Sequence, residues 1–278
     1  MHGGIYTISE FTMNKNIAFI GSGNMAGAII GGILVKSIAT PSQLEVYDVN
    51  PQASARFADK GVVAADSAAH AADFADILFM SVKPQNYDEV LSGIKGHTSG
   101  KVIVSIAAGI STDYIRERLG RDSRVVRVMP NTPLLLGYGA TAVSRCETVG
   151  DADFECVKQI FESGGIVEEL PESLMNAVIA VNGSSPAYVY LFAKALIDGA
   201  VSYGIDAGAA KRLVCQTFIG SAHMLTDSGK TPDELIKMVS SKGGTTIAAL
   251  DALYSHDFEQ ALKEAMEHCT RRAEELGR

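Results

Sequence analysis

The sequence predicts an α/β protein, with a parallel-sheet domain followed by an all-helical domain. Over the first 170 residues, short apolar runs alternate with helical segments, and after Pro171 the strand-like runs disappear. The length of 278 residues suits one large domain or two modest ones. We therefore expect an N-terminal extension at 1–14, a sheet domain at 15–170 and a helical domain at 171–278.

The sheet domain is predicted from apolar runs bounded by turn residues. Six runs are expected to be parallel strands, because strands that alternate with helices form a sheet covered on both faces. They are Ile17–Ile20, Leu44–Tyr47, Val62–Ala64, Ile77–Met80, Val102–Ile106 and Val125–Met129. Two further runs, Gly139–Val143 and Ile166–Glu168, are expected to add edge strands.

The helical domain is predicted from apolar residues at helical spacing. The expected helices are Leu174–Val181, Tyr188–Tyr203, Ala207–Thr226, Asp233–Val239, Thr246–Tyr254 and Phe258–Leu276. The first three form long apolar stretches that exceed what one small helical domain needs to cover itself. We therefore predict an interlocked homodimer, with the helical domain as its dimerisation domain.

Composition excludes several classes of function. The net charge is −8, so no basic face is expected for nucleic acid or an anionic membrane surface. No apolar run approaches the ~18 residues of a membrane span. The four cysteines form no CxxC pair and the histidines no HxxxH pair, so we expect no metal site. Free thiols are typical of a reducing cytoplasm, which is the predicted location.

A glycine turn follows the first predicted strand and opens a helix. The residues from Gly21 to Ala26 read GSGNMA, which is the GxGxxA pattern of a Rossmann-type dinucleotide site. In that pattern Gly21 permits the tight turn, Gly23 lets the backbone approach a pyrophosphate, and Ala26 keeps helix and strand close. The helix N-terminus, at Asn24 and Met25, offers free N–H groups to the phosphates. The alternative is an ordinary structural turn.

An acidic residue at the end of the second strand completes such a site in NAD-binding proteins. Asp48 occupies this position, 27 residues after Gly21. A carboxylate here favours the ribose diol of NAD and repels a 2′-phosphate, and the next three residues include no arginine to receive that phosphate. The alternative is that Asp48 only caps the helix that starts at Pro51.

Two loops follow later strands at the same predicted edge of the sheet. Lys83 and Pro84 follow the fourth strand, where the lysine could meet a phosphate or ribose or be a solvated charge. Asn131 and Pro133 follow the sixth strand, where the asparagine amide could bind a carboxamide. For the second loop the alternative is a plain turn between strands.

The helical domain contains a second glycine-rich turn, Ser240–Ile247, which opens a helix. Its backbone N–H groups could hold a carboxylate, Lys242 could reinforce the anion, and the Thr246 hydroxyl can both donate and accept a hydrogen bond. The alternative is an ordinary helix cap. Another segment, Asn182–Pro186, interrupts an otherwise continuous helical pattern, with Pro186 suited to the first turn of the next helix.

Several of these segments together resemble one family. They are Ile20–Ala26, Val82–Gln85, Arg127–Pro133, Gly183–Val189, Pro232–Leu235 and Val239–Leu250. In this order and spacing, the chain after Asn14 resembles the pyrroline-5-carboxylate reductases over essentially its whole length. The resemblance implies a Rossmann domain followed by a helical domain that intertwines in a homodimer, and larger rings such as a decamer of five dimers.

The resemblance also implies an activity and roles for residues. The activity is reduction of 1-pyrroline-5-carboxylate to L-proline by NADPH or NADH. Thr246 matches the threonine that meets the ring nitrogen of the substrate, and Asn131 and Pro133 match the nicotinamide side. The matched carboxylate loop supplies Ser241, Gly243, Gly244 and Thr245. Three positions depart from the family pattern: Lys242 replaces a proline, Ser185 replaces a glycine, and Asp48 is unusual for members that prefer NADPH.

Two rival functions remain open at the level of sequence. A β-hydroxyacid dehydrogenase needs a general acid/base, usually a lysine on the long helix, and Lys194 lies near such a place. However, the residue four positions on is Asp198, where that family has an asparagine. A non-enzymatic dinucleotide sensor would need no substrate loop such as Ser240–Thr246.

Overall fold

An eight-stranded sheet organises the first part of the chain. The computed structural model describes residues 13–277, so residues 1–12 of the predicted N-terminal extension lie outside it. The strands are β1 Ile17–Ile20, β2 Leu44–Tyr47, β3 Val63–Ala64, β4 Ile77–Met80, β5 Val102–Ser105, β6 Arg124–Met129, β7 Gly139–Arg145 and β8 Gly165–Glu169. Their order is β3-β2-β1-β4-β5-β6-β7-β8.

All neighbouring strands are parallel except β6 and β7, which are antiparallel. The order β3-β2-β1-β4-β5-β6 is that of a doubly wound Rossmann sheet, as predicted. β7 was expected at an edge, but this is wrong, because it pairs with β6 on one side and β8 on the other. The reversal of strand order between β1 and β4 places a crevice at their carboxyl ends.

Eleven α-helices are seen in residues 13–277. They are α1 Asn24–Val35, α2 Pro51–Ala55, α3 Ala68–Phe74, α4 Tyr87–Ile94, α5 Thr112–Leu119, α6 Asp151–Glu162, α7 Ser185–Ser202, α8 Ala207–Asp227, α9 Pro232–Met238, α10 Thr245–Ser255 and α11 Phe258–Leu276. Local sequence sets several starts. Ser111 caps α5, and Thr231 with Glu234 forms a capping box on α9.

The core of the sheet domain is built from the strands themselves. Every residue of β1, β4 and β5 is buried, as expected for parallel strands covered on both faces. Phe19 stacks on Phe79 with ring centroids 4.5 Å apart, and Phe161 packs 6.0 Å from Phe79. Met13 is also buried, and its N–H donates to the Ile38 carbonyl at 2.6 Å.

The predicted helix Leu174–Val181 is wrong. The segment is instead a 3₁₀ turn at Glu172–Leu174 followed by a π-helix at Ile179–Gly183, which Ser184 separates from α7. The wider turn is closed by the Ser184 N–H, which donates to the Ile179 carbonyl five residues back at 2.8 Å. Gly183 faces β6, where a Cβ would lie 3.2 Å from the Met129 sulfur. Asn182 lies in the π-helix, and the interruption that the sequence pattern indicates falls at Ser184, which forms a bend before α7.

The chain divides into two compact units. The first comprises the chain up to Ser184 together with the segment from His268, and the second comprises Ser185–Glu267. Within Ser185–Glu267 only Ala210 is buried, although Phe192 stacks on Phe218 with centroids 5.7 Å apart. The boundary expected at residues 170 and 171 stays a prediction. No helix in residues 13–277 is long and apolar enough to cross a bilayer.

Candidate functional site

The glycine turn lies at the carboxyl end of β1, beside the end of β4. Gly21 has a φ of +95°, and a Cβ there would lie 2.6 Å from the Ser81 carbonyl oxygen. Its N–H donates to the Tyr47 carbonyl at 2.8 Å, and the Ser81 N–H donates to the Ile20 carbonyl at 2.8 Å. Only glycine satisfies both the left-handed backbone and this close approach. The turn is therefore held by the ends of three strands.

The N-terminus of α1 is open to a ligand. Gly23 is the N-cap residue and gives no side-chain cap, and the first turn contains no acidic residue. A Cβ on Gly23 would meet nothing within 4 Å, so the space above the helix end is free. Ala26 is fully buried and keeps α1 close to the sheet. Uncapped N–H groups at a helix N-terminus with this clearance fit the pyrophosphate of a dinucleotide.

Asp48 is fixed in place by three hydrogen bonds. Its Oδ2 accepts from the Ser22 N–H and the Ser22 hydroxyl, both at 2.8 Å, and its Oδ1 accepts from the Asn50 N–H at 2.9 Å. Partial burial alone would raise the pKa of Asp48, but these bonds and the charge of Arg56 outweigh it and lower that pKa. The carboxyl is therefore ionised at neutral pH. Asn50 caps α2 by accepting from the Gln52 N–H, so the capping alternative for Asp48 is wrong.

Arg56 is a residue of this site that sequence reasoning missed. It follows α2, and its Nη2 donates to the Gly23 carbonyl at 2.8 Å and to the Ser22 carbonyl. Its guanidinium lies over the Phe57 ring, 4.7 Å from the centroid. The sequence search considered only the three residues after Asp48. The sequence signal that could have found it is an arginine directly after the short helix α2, because a helix of this length returns the chain toward the glycine turn.

The strand ends beyond β1 place Lys83 and Pro84 at the same edge of the sheet. Lys83 is exposed and pairs with no acid in residues 13–277, and Pro84 opens a 3₁₀ turn. Tyr87 holds the end of β4. Its buried hydroxyl donates to the Met80 carbonyl at 3.0 Å and lies 2.9 Å from the Ser105 hydroxyl. Burial raises the pKa of Tyr87, so it stays protonated.

The loop after β6 is held by two asparagines. The Asn131 Oδ1 accepts from the Ala140 N–H at 2.9 Å, so this end of the amide closes the β6–β7 connection. The buried Asn182 side chain donates from Nδ2 to the Met129 carbonyl at 2.7 Å and to the Ala140 carbonyl at 2.9 Å. The NH₂ end of Asn131 has no acceptor among the described residues and remains available to a carboxamide. Pro133 lies in the 3₁₀ turn Thr132–Leu136.

The second glycine turn belongs to the second unit and opens α10. Gly244 is the N-cap residue without a side-chain cap, and its N–H donates to the Ser241 carbonyl at 2.9 Å. A Cβ on Gly244 would lie 2.5 Å from the Ser241 hydroxyl, and Gly243 has a φ of +71°. Thr246 is half-buried, and its hydroxyl bonds to no other residue that the structure describes. The backbone N–H of Thr245 and the hydroxyl of Thr246, neither paired with a described residue, thus lie together in the first turn of α10.

The sites are grouped as follows. The first unit brings Gly21, Ser22, Gly23, Asp48 and Arg56 together, with Lys83 after β4 and Asn131 after β6. The second unit carries the group from Ser241 to Thr246. Lys194 of the dehydrogenase rival is exposed and donates to Asp198 at 2.6 Å as an ordinary helix-surface ion pair.

Within 13–277, no group of three or more histidine, cysteine or acidic side chains could hold a metal ion. The four cysteines are free thiols.

Two family models match different parts of the chain. A family model described as pyrroline-5-carboxylate reductase dimerisation matches residues 172–276. A model described as a coenzyme F420-dependent NADP oxidoreductase matches residues 16–109. The two matches cover the helical segments and the glycine turn with its flanking strands, respectively.

Relatives match over nearly the full chain. A pyrroline-5-carboxylate reductase of Escherichia coli is 40% identical over 268 residues, which are 96% of this chain and 100% of the relative. A reductase of the same name from Methanosarcina acetivorans is 36% identical, over 95% of this chain and 99% of its own. The crystal structure of Plasmodium falciparum pyrroline carboxylate reductase with NADP bound has a TM-score of 0.90 at 31% identity, covering 96% of this chain and 100% of that one. The chain therefore belongs to the pyrroline-5-carboxylate reductase family.

Proposed function

We propose that the turn opening α10 holds the substrate of this reductase, while the glycine turn after β1 holds its cofactor. The reaction is reduction of 1-pyrroline-5-carboxylate to L-proline, the last step of proline biosynthesis, with NADPH or NADH. The observation that supports the site assignment is the N-terminus of α10. There, uncapped amides and the unpaired Thr246 hydroxyl lie within one turn of each other.

The substrate presents two groups that this turn can recognise. Its carboxylate needs N–H donors, which the backbone of Gly243 and Thr245 offers at a helix end with a positive dipole. The Gly244 N–H already donates to the Ser241 carbonyl. The Ser241 hydroxyl lies beside the same amides, because Gly244 has no side chain to displace it. Lys242 is exposed beside them and adds positive charge for the carboxylate. The ring nitrogen of the substrate needs one polar partner, and the Thr246 hydroxyl can donate to that nitrogen or accept from it.

The chemistry needs no nucleophile from the protein. A protonated cyclic imine is already electrophilic at C5. The residues therefore need only orient the substrate ring and prevent unproductive binding geometries. When bound, the reduced nicotinamide supplies the hydride. Orientation of the reacting groups can contribute up to ~7–11 kcal/mol of barrier lowering. In this proposal Thr246 is the catalytic residue, and Ser241, Gly243, Gly244 and Thr245 bind substrate.

The cofactor side is assigned on the open end of α1. Gly21 and Gly23 shape the turn, the N–H groups that follow at Asn24 and Met25 face the pyrophosphate, and Ala26 packs the helix. Asp48 faces the ribose, while Lys83, Pro84, Asn131 and Pro133 line the strand ends toward the nicotinamide.

Replacement of Thr246 by alanine tests the substrate assignment. We expect kcat/KM for pyrroline-5-carboxylate to fall by roughly 10- to 100-fold, the scale of one hydrogen bond to a charged group at about 1.5–3 kcal/mol. Thr246→Ser keeps the hydroxyl and should retain most of the activity. Loss of NAD(P)H absorbance on addition of substrate is the measurement. Wild-type kinetics for Thr246→Ala would remove this residue from the site.

Assembly and location extend the proposal. The helical region is a dimerisation domain, and the exposed apolar side chains of α7 and α8 support a homodimer. We propose that five dimers associate into a decamer and that the protein is cytoplasmic, in keeping with its four free thiols. Sedimentation analysis gives the particle mass, and cell fractionation gives the location. The domain boundary at 170 and 171 is tested by expressing residues 13–170 alone and measuring cofactor binding.

A further inference from the structure

Asp48, at the end of β2, carries a carboxylate that already accepts three hydrogen bonds from the protein. Three donors near Asp48, the Ser22 N–H, the Ser22 hydroxyl and the Asn50 N–H, all point at its oxygens. Ser22 is only 1% exposed, so its groups cannot turn to a ligand instead. A carboxylate has about four acceptor sites. One acceptor site on Oδ1 therefore remains for a donor from a ligand. Neither Ser22 nor the Asn50 N–H has a donor left that could bind the ligand.

This arrangement distinguishes the two nicotinamide cofactors. A ribose 2′-hydroxyl can donate to the remaining site on Oδ1 of Asp48. A 2′-phosphate would bring a dianion against an ionised carboxylate, with the Ser22 and Asn50 donors beside it already engaged. Repulsion between like charges at such short range is worth more than one hydrogen bond when the site is partly buried.

Arg56 is the cation in this neighbourhood that could offset the repulsion. Its Nη2 is directed at the Gly23 and Ser22 carbonyls, and its plane lies over Phe57. These contacts hold the glycine turn, which both cofactors use through their shared pyrophosphate. Arg56 therefore acts through the turn and supports the two cofactors equally, as a positioning residue.

We propose that this reductase selects NADH over NADPH, with Asp48 as the residue that discriminates and Arg56 as the residue that positions the glycine turn. The inference rests on the proposed cofactor site and goes beyond it by naming the cofactor. It sets this chain apart from the Plasmodium falciparum relative, whose structure has NADP bound. The expected preference is roughly 10- to 100-fold in kcat/KM.

The first experiment is titration of the wild-type protein with NADH and with NADPH by isothermal calorimetry, without substrate. We expect NADH to bind at least about 10-fold more tightly. Equal binding, or tighter binding of NADPH, overturns the proposal. This binding measurement stands apart from turnover, so failure of the reduction itself and failure of the preference give different results.

The variants then assign the preference to residues. In Asp48→Asn the amide oxygen can stay with Ser22, and the NH₂ group takes the place of Oδ1, so the bond from the Asn50 N–H is lost. Because the negative charge is also removed, NADPH should gain and the ratio of kcat/KM values should move at least about 10-fold toward NADPH. Asp48→Ser is the second variant, in case the amide disturbs the turn. Asp59→Asn, an exposed acid of the same surface, is the control and should leave the ratio unchanged.

Arg56→Gln separates the two roles. As a positioning residue, Arg56 should affect NADH and NADPH alike, so that kcat/KM falls with both cofactors and their ratio stays within about twofold. A loss confined to NADPH would show that the guanidinium binds the 2′-phosphate and would overturn the proposal. An unchanged ratio in both Asp48 variants would overturn it as well.

Discussion

The two units of this chain bury their apolar residues to different extents. The first buries every residue of its central strands β1, β4 and β5, and it holds the glycine turn with contacts from β1, β2 and β4. The second buries only Ala210 and leaves long apolar faces of α7 and α8 exposed in the single chain. A unit that cannot bury its apolar surface alone needs a partner to be stable. The first unit is therefore complete within one chain, and the second depends on the dimer.

The two glycine-opened helices repeat this contrast locally. Both α1 and α10 begin after a glycine N-cap without a side-chain cap, and neither has an acid in its first turn. α1 has five buried residues, while α10 has none. The uncapped N-terminus is thus the same in both helices, and the difference lies in how far each helix is buried.

Replacement of Gly21 by alanine is the most severe test of the self-contained unit. The left-handed φ alone costs about 1–3 kcal/mol for a residue with a side chain. The new Cβ would also lie 2.6 Å from the Ser81 carbonyl, which forces β1 and β4 apart. We expect cofactor affinity to fall by more than about 100-fold by calorimetry. Gly31→Ala, in α1 with nothing within 4 Å of a new Cβ, is the matched control and should bind normally.

Replacement of Leu213 by aspartate tests the dependent unit. Leu213 lies on α8 and is 65% exposed in the single chain. Each Leu side chain removed from an apolar interface costs about 1.5–3 kcal/mol, and a two-fold axis counts it twice. We expect the dimer to dissociate at micromolar concentration in analytical ultracentrifugation. Val35→Asp in the first unit, at a residue 81% exposed, should leave the dimer intact. A stable Leu213→Asp dimer would refute the interface.

Replacement of Asn182 by alanine sharpens the role of the π-helix. The change leaves the Met129 and Ala140 carbonyls without their donor, at about 1–3 kcal/mol for each buried group. Because these carbonyls flank the Asn131 loop, KM for the cofactor should rise several-fold while kcat changes little. Thermal unfolding should also begin earlier. The exposed Asn14→Ala variant serves as control, and an equal fall of kcat in Asn182→Ala would contradict a role limited to cofactor positioning.

The smallest effect concerns an acid inside the self-contained unit. Glu45 of β2 is 7% exposed, its Oε2 has no partner among the described residues, and burial raises its pKa above the ordinary value of 4.5. As pH rises above 4.5, the unfolded chain releases this proton before the folded chain does, so stability falls until the folded pKa is passed. Ionised Glu45 therefore destabilises the fold at neutral pH.

Glu45→Gln removes that ionisation. Relative to wild type, its unfolding free energy in urea should gain with rising pH between about 4 and 7, reaching about 1 kcal/mol. Glu168→Gln, on the exposed face of β8, should show no such trend. A gain for Glu45→Gln that does not depend on pH would point to packing and away from titration.

Much of the fold could be predicted, because its signals are local. The runs Ile17–Ile20 and Ile77–Met80 are strands with the predicted bounds. The segment Leu174–Val181 could not be predicted, because helical spacing alone does not show that Asn182 must reach two carbonyls of β6 and β7. The interior position of β7 likewise depends on pairing with β8, far along the chain.

The sequence by itself determined the strand, turn and helix around Gly21 and the glycine turn that opens α10, since neighbouring residues dictate both. Only the tertiary structure decided which groups are free to bind. It set the three donors on Asp48, two of them from Ser22, 26 residues away, and the return of Arg56 to a carbonyl 34 residues back. It also set the bond from Asn182 to Met129, over 53 residues. Hydrogen bonds act over about 3 Å in space, and the sheet alone brings such distant residues within that range.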